Sequence, residues 1–417
     1  MIKTGLIGKD VSNSFSKVIH KLLNNQKYEL LSLDNENDVN NLLEQDDFFF
    51  NFTIPYKDLA YAKADTLSKA AKETQVVNTL IKRDGKTFGY NTDIDGFKAL
   101  ISKYKINFKG KKIVIFGTGA TSRTVSYVLS KKDCKSIIFL SRNPNNKTSF
   151  SYKNVNKYKG ANIIINTTPI GKNIRDKSLI DFSKLSSLET YIDVNYNLMH
   201  NSMALKALKK GAKAINGLTM LVEQAIKSEE LYQNIEFDKD TRDSVYLKTL
   251  LKFNNIALIG HPFAGKTTIG KQLAKQIGGK FLDTDTLVEA KENLTINSIF
   301  ANFGEEYFRE KESTVIGQVF SKVGQVVSLG GGSVTKKENM NLVLPNSIVV
   351  TIDREITKIK FDSFKNRPLV RNQNDFLAIL FKRRKLYKQY ADIEINNNKK
   401  IDDAVNALRG ALWNSLL

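Results

Sequence analysis

The chain has 417 residues, 41% hydrophobic and 26% charged, a globular composition with room for two or three domains of roughly 150 residues each. No apolar run approaches the roughly 18 residues of a membrane span, and the opening MIKTGLIG lacks a signal peptide's charged and apolar regions. One cysteine and three histidines leave no internal disulfide and no visible metal-ligand cluster, and the +21 charge is scattered along the whole length. A cytoplasmic protein is expected, with no membrane or nucleic-acid partner and a general positive field that favours small anionic substrates.

Strand-like apolar runs alternate with helical patterns almost throughout, which predicts α/β layers with parallel sheets. In the front half KTGLIG, YELLSL, FFFNF and VVNTLIK read as strands and TDIDGFKALISKY as a helix. A further strand, KKIVIFG, opens into GTGATSR, Gly117 to Arg123, with SIIFLSRN one helix later. That βαβ unit with a glycine turn is a dinucleotide-site candidate carried by Gly117 and Gly119, although Ala120 and Ser122 stand where further glycines are often found. Its second strand ends in Ser141, Arg142 and Asn143 with no acid to hold a ribose hydroxyl, and an arginine there suits the extra phosphate of NADP. The polar stretch FDKDTRDS, Phe237 to Ser244, separates a helical run ending near Tyr232 from the next strand at Asn255. The domain boundary falls there, with a linker over 237–252.

The back half opens on the apolar run IALIG, followed by GHPFAGKTT, Gly260 to Thr268, and then a helical pattern. This is a phosphate-binding loop in its required context, between a strand and a helix. Gly260 and Gly265 let backbone N–H groups wrap phosphate oxygens at the positive end of the helix. Lys266 is expected to reach the β- and γ-phosphates, beside Thr267 and Thr268, with the Thr267 hydroxyl on a magnesium ion shared with the nucleotide.

The ordered segments SNSFSKVIH, NFTIPYK, VVNTL, GYNTDIDGF, GTGATSR, NTTPIG, DVNYN and NGLTMLVEQA make residues 1–236 resemble shikimate dehydrogenase. The resemblance implies a substrate-binding α/β domain at 1–100, with 218–236 packing back onto it, and a Rossmann NADP-binding domain at 101–217. It places Ser14, Ser16, Asn51, Thr53, Asn78 and Gln224 around a polyhydroxy carboxylate and makes Lys57 and Asp93 the catalytic pair. Asn166, Thr167 and Gly217 join Gly117, Gly119, Ala120, Ser141 and Arg142 at the cofactor. A cationic donor fits the chemistry, because hydride arriving at a ketone leaves negative charge on oxygen. Lys172, Leu198 and Asn201 depart from the methionine, proline and threonine usual in that family. Quinate or another polyol acid stays open as the substrate.

Residues 253–417 resemble shikimate kinase through GHPFAGKTTIGKQLA, FLDTD, EEYFREKE, LGGGS, NRPLV and RKLYKQYA. The resemblance implies a P-loop α/β domain with a parallel sheet, using ATP and magnesium. Asp283 then assists the metal with Thr267, and Asp285 grips the substrate hydroxyl. Arg309 and Arg384 clamp the substrate carboxylate, Gly330, Gly331 and Gly332 let backbone approach the ring, and Arg367 closes over the phosphates. Lys385 departs from a frequent proline. Taken together, the two halves read as a fused enzyme that reduces 3-dehydroshikimate to shikimate and phosphorylates it at the 3-hydroxyl.

Overall fold

The computed structural model describes residues 2–44, 47–359, 369 and 372–414. The chain divides into two compact units, Met1–Thr249 and Leu250–Leu417. Arg367 lies outside the described residues.

The first sheet holds β1 (Lys3–Gly8), β2 (Glu29–Ser32), β3 (Phe48–Phe52), β4 (Thr66–Leu67), β5 (Thr79–Arg83) and β6 (Lys86–Tyr90), in the order β2-β1-β3-β5-β6-β4. It is mixed: β1 runs parallel to β2 and β3, whereas β5 is antiparallel to both β3 and β6. The β5–β6 hairpin turns through Asp84 and Gly85, both with positive φ of 50° and 75°, the turn whose twist matches its strands. Every residue of β3, the run FFFNF, is buried. Phe48, Phe50 and Phe52 pack with Ile7, Val77 and Leu80, while Phe49 faces a separate cluster with Tyr28 and Ile81.

The second sheet is wholly parallel. It holds β7 (Lys112–Phe116), β8 (Ser136–Ser141), β9 (Ser149–Ser151), β10 (Ile163–Asn166), β11 (Thr190–Asp193) and β12 (Lys213–Ile215), in the order β12-β11-β10-β7-β8-β9. The chain leaves β7 toward β8 on one side and returns to β10 on the other, so a crevice opens at the carboxyl ends of these strands. Its core lies on both faces, with Ile113 and Ile115 toward one cluster and Val114 and Phe116 toward the other, as expected of strands covered on two sides. The helix Leu218–Gln233 packs against the helix Asp93–Lys103 and so returns to the first sheet's domain.

The back unit is built on β13 (Asn255–Ile259), β14 (Lys280–Asp283), β15 (Gln325–Ser328), β16 (Ser347–Asp353) and β17 (Ile393–Asn396), all parallel in the order β14-β15-β13-β16-β17. Among the described residues, no helix is long and apolar enough to cross a membrane.

The segment expected as a linker is structured. Lys239–Phe253 is a helix, and the division between the units falls within it, after Thr249. Asp238 accepts from Thr241 N at 2.7 Å at its start, and Arg242 reaches Glu223 and Glu230 of the helix Leu218–Gln233 at 2.5 Å each. Its polar opening is therefore spent on a cap and two ion pairs.

Lys103 sits 3.6 Å from the ring centroid of Tyr246 on this helix. Burial pulls its ammonium down to about 7, against the opposing pull of Glu223 and Asp243. An unfolded chain keeps that proton to the ordinary lysine range, so between about pH 7 and pH 10 the unfolded state binds more protons and stability rises with pH. Lys103→Met should flatten that rise and stabilise the front unit below pH 7, which thermal inactivation of its activity across pH 6 to 10 checks.

Candidate active sites

In the front unit, β3 ends at Asn51 and Phe52, and a turn through Thr53 delivers Lys57 as the first residue of the helix Lys57–Ala62. Past β6, Asp93 opens the helix Asp93–Lys103. These starts bring Lys57 Nζ within 2.5 Å of Asp93 Oδ2, with the residues 9% and 6% exposed. Asn78 Nδ2 donates to Asp93 Oδ1 at 3.0 Å and to Gln224 Oε1 at 3.2 Å. Thr92 N returns a bond to Asn78 Oδ1 at 2.7 Å, which fixes the amide's orientation. Asn51 is held by Tyr28, Thr79 and Ser228, and Ser14 Oγ lies 3.0 Å from Ser16 Oγ.

A cavity of about 510 Å³ gathers all eight expected substrate-side residues: Ser14, Ser16, Asn51, Thr53, Lys57, Asn78, Asp93 and Gln224. Its other wall comes from segments that follow strands of the second sheet, through Thr121 in the helix after β7 and Thr167 and Thr168 just past β10. Lys172 and Tyr196 line it as well, and the sequence reading assigned neither to substrate. Burial and then the Lys57 charge hold the Lys172 ammonium below the usual lysine range, opposed by Asp10 and Asp193. Burial also pushes the Tyr196 hydroxyl up, opposed by a hydrogen bond with Ser14.

At the carboxyl end of β7, Gly117 has φ of 99° and Gly119 is the N-cap of the helix Ala120–Leu129. A Cβ on Gly117 would lie 3.0 Å from Thr167 Oγ1, whereas one on Gly119 would meet nothing within 4 Å. This is an open helix start of the kind that seats a pyrophosphate. Ser141 ends β8, where Asn143 N donates to its Oγ at 3.2 Å, and Arg142 beside it is exposed.

Two expected cofactor residues are placed differently. Asn166 is fully buried and donates to Ile170 O and Asp193 Oδ2 while accepting from Thr168 N and Oγ1, so its amide holds the loop together. A Cβ on Gly217 would collide with the Val194 carbonyl, so that glycine serves a close backbone approach. Asn201 has a clear local role: it caps the helix Ser202–Lys209 through Met203 N and Ala204 N and donates to Asp193 Oδ2 at 2.5 Å.

In the back unit, β13 runs into Gly260 and Gly265, with φ of 142° and 96°, and the helix Lys266–Ile277 follows. A Cβ on Gly260 would strike Ile352 O, and one on Gly265 the Asn397 amide. Lys266 Nζ donates to Gly260 O at 2.9 Å and His261 O at 3.0 Å, folded over its own loop. Thr267 and Thr268 are exposed beside it. Thr267 Oγ1 lies 2.7 Å from Asp283 Oδ2, and Asp283 Oδ1 accepts from Asp285 N at 3.1 Å. Among the described residues, no group of three or more His, Cys, Asp or Glu could hold a metal ion. One hydroxyl and one carboxylate suit a magnesium ion that takes its other ligands from phosphates and water.

Gly330, Gly331 and Gly332 make the convergence beside this loop possible. A Cβ on Gly330 would fall 2.5 Å from Asp285 Oδ1 and 2.6 Å from Glu312 Oε1, one on Gly331 3.2 Å from Pro262, and one on Gly332 into the Arg309 guanidinium. Arg309 Nη1 donates to the fully buried Glu312 at 2.7 Å, and Ser333 Oγ donates to its other oxygen at 2.6 Å. Tyr387 OH donates to Gly331 O at 2.6 Å; burial raises that hydroxyl to about 12, opposed by Arg383 and Arg309. The arginine in this corner is thus Arg383, 9% exposed. Arg384, expected here, points elsewhere, exposed and 3.9 Å from Asp353. The spacing Arg383 to Tyr387, four apart on one helix face, carries the signal that would have chosen between them.

The model of the shikimate dehydrogenase substrate binding domain matches residues 6–80, and that of shikimate kinase matches residues 262–411. A shikimate dehydrogenase (NADP(+)) of Clostridium perfringens is 31% identical over 268 residues, covering 60% of this chain and 98% of that protein. The chain belongs to the shikimate dehydrogenase family. Shikimate dehydrogenase 1 from Peptoclostridium difficile has a crystal structure 30% identical, with a TM-score of 0.54 over 61% of this chain and 99% of that one. A chorismate mutase/shikimate 5-dehydrogenase fusion protein from Clostridium acetobutylicum is likewise 30% identical, with a TM-score of 0.53 over 59% and 96%. Here the dehydrogenase is joined to a shikimate kinase domain instead.

The two dehydrogenase glycines should respond oppositely. Gly217→Ala should cost about 1–3 kcal/mol by overpacking, seen as a lower thermal midpoint, while Gly119→Ala leaves the midpoint within about 0.5 kcal/mol and raises the KM for dinucleotide.

Proposed function

We propose that this protein catalyses two successive steps in the cytoplasm: NADPH-dependent reduction of 3-dehydroshikimate to shikimate, then ATP-dependent phosphorylation of shikimate at its 3-hydroxyl. The substrate domain spans 1–100 with 218–236, the dinucleotide domain 101–217 and the kinase 253–417. The carrying observation is the buried Lys57–Asp93 pair in a cavity where hydroxyls and amides of Ser14, Ser16, Thr53, Asn78 and Gln224 converge beside it.

NADPH supplies the hydride. Lys57 holds its proton where charge develops on the ketone oxygen and delivers it there, which stabilises the transition state and completes the alcohol. Asp93 aims the ammonium, and is itself fixed by Asn78. Ser14, Ser16 and Tyr196 offer hydroxyl donors to the substrate carboxylate, while Thr53, Asn78 and Gln224 match ring hydroxyls. Arg142, at the end of β8, suits the extra phosphate of NADP.

In the kinase, ATP supplies the phosphoryl group. The loop from Gly260 to Thr268 wraps its phosphates, and Lys266 exchanges the carbonyls of Gly260 and His261 for phosphate oxygens. Thr267 and Asp283 hold magnesium. Asp285 orients the attacking hydroxyl and accepts its proton, while Arg309 and Arg383 grip the substrate carboxylate, the latter in place of Arg384.

The purified protein supplied with 3-dehydroshikimate, NADPH, ATP and magnesium should show NADPH oxidation followed by ADP release. Lys57→Ala should lower the first signal by about 10²–10⁴-fold with phosphorylation of added shikimate intact. Lys266→Ala should abolish only the second; loss of NADPH oxidation from Lys266→Ala, or loss of phosphorylation of added shikimate from Lys57→Ala, contradicts independent sites.

The neighbouring arginines provide a sharper check. Arg383→Ala should raise the kinase KM for shikimate by about thirtyfold or more, corresponding to a cost of about 2 kcal/mol or above, and Arg384→Ala should leave it within about threefold. Initial rates against shikimate at saturating ATP decide it, and equal effects refute the assignment.

A further inference from the structure

The phosphate loop places a bulky residue at a left-handed backbone position. Phe263 adopts φ of 67°, in the left-handed region, where a bulky side chain is disfavoured and glycine is not. Such a conformation persists only where its surroundings impose it, so the Phe263 side chain must gain something that glycine lacks.

Its contacts show what that is. Phe263 packs into the apolar cluster of Ile359, Phe376 and Leu380, with its ring centroid 6.3 Å from that of Phe376. His261, two residues earlier in the loop, stands edge-on to the same ring at 5.6 Å and 81°. Phe376 is fully buried near the start of the helix Gln373–Tyr390, which carries Arg383 and Tyr387 further along. Two loop residues thus grip one ring of the helix whose later turns reach the Gly331 corner.

We propose that Phe263 is a positioning residue of the kinase: an aromatic peg that fixes the phosphate loop against the helix Gln373–Tyr390, setting the nucleotide phosphates at a fixed place relative to Arg383. This rests on the reading of the back unit as an ATP-dependent kinase. The peg transmits position and touches no reacting atom. A phosphate loop free to shift against the substrate-gripping helix loses the alignment on which phosphoryl transfer depends.

Two substitutions separate backbone from side chain. Phe263→Asn keeps a residue that tolerates the left-handed conformation but deletes the peg; Phe263→Leu keeps an apolar peg and the unfavourable backbone. In the full-length protein, binding of a fluorescent ADP analogue and the kinase kcat are read together, with the thermal midpoint of the back unit as the measure of its intact fold. Phe263→Asn should weaken ADP-analogue binding and lower kcat by about tenfold each, while Phe263→Leu stays within about threefold of the parent. Phe376→Leu should reproduce part of the loss, and adding it to Phe263→Asn should lose little more, because partners in one contact are not additive. Phe263→Asn matching the parent, Phe263→Leu failing as badly as Phe263→Asn, or fully additive losses would each overturn the proposal. A parent protein that binds the ADP analogue but transfers no phosphoryl group to shikimate would instead overturn the kinase reading.

Discussion

An ammonium and a carboxylate held 2.5 Å apart and almost out of water set the terms for the front half of this chain. Removing two such ions from water costs several kcal/mol each unless geometry and further hydrogen bonds repay it. Much of the surrounding sequence is consistent with that demand. Asn78 satisfies the second carboxylate oxygen, Thr92 fixes Asn78, and Ser228 ties Thr92 to Thr79 and Asn51. The members come from β3, β5 and three helices, so the pair exists only when the sheet, the helices Lys57–Ala62 and Asp93–Lys103 and the returning helix Leu218–Gln233 are all in place. Asp93 also gains from standing at the positive end of its helix, an advantage that Lys57, also at a helix start, lacks. The carboxylate is the better-anchored partner, which suits the proposed role of Lys57 as the group that gives up and regains a proton.

Much of this was legible in the sequence because motif residues sit at element ends, and element ends are where strand and helix patterns change. The glycine turn after β7 and the phosphate loop after β13 were placed by that rule, whereas the acidic pair at the end of β14 came from the resemblance to shikimate kinase. What escaped was information carried by distant partners. Phe237 to Ser244 reads as a polar connector, yet Arg242 finds its carboxylates 12 and 19 residues back in the chain. Adjacent arginines on a helix point about 100° apart, so order along the chain could not select Arg383 over Arg384 without asking which shares a face with Tyr387. Asn166 stands at a strand end beside the dinucleotide turn, but its hydrogen-bonding capacity is consumed by its own loop and by Asp193 at the end of β11. Polarity and place do not reveal that a group is already satisfied.

The glycines show the same distinction between a position that must be empty for a ligand and one that must be empty for the protein. Gly119 has open space where a Cβ would go, whereas Gly217, Gly260 and Gly332 are crowded by Val194, Ile352 and Arg309. Only the first is a vacancy that a phosphate can use. The others bring polar groups closer than any side chain would permit, and in the kinase that lets Asp285, Glu312 and Arg309 converge within one corner.

On the proposed assignment both halves grip one ring acid, yet they meet its carboxylate with different chemistry. The dehydrogenase offers hydroxyls from Ser14, Ser16 and Tyr196, and the kinase offers two guanidiniums. The difference follows from what else enters each site. In the dehydrogenase the charge that must be favoured is the one developing on the ketone oxygen, near Lys57. A strong cation pair at the carboxylate would hold ground and transition states alike and add nothing to that difference. In the kinase a triphosphate arrives beside an already anionic substrate, and their repulsion in a site with little water has to be offset before the hydroxyl can approach phosphorus. Arg309 and Arg383 supply that charge, and the buried Glu312 fixes Arg309 without drawing substrate to itself, because Arg309 and Ser333 already occupy both its oxygens.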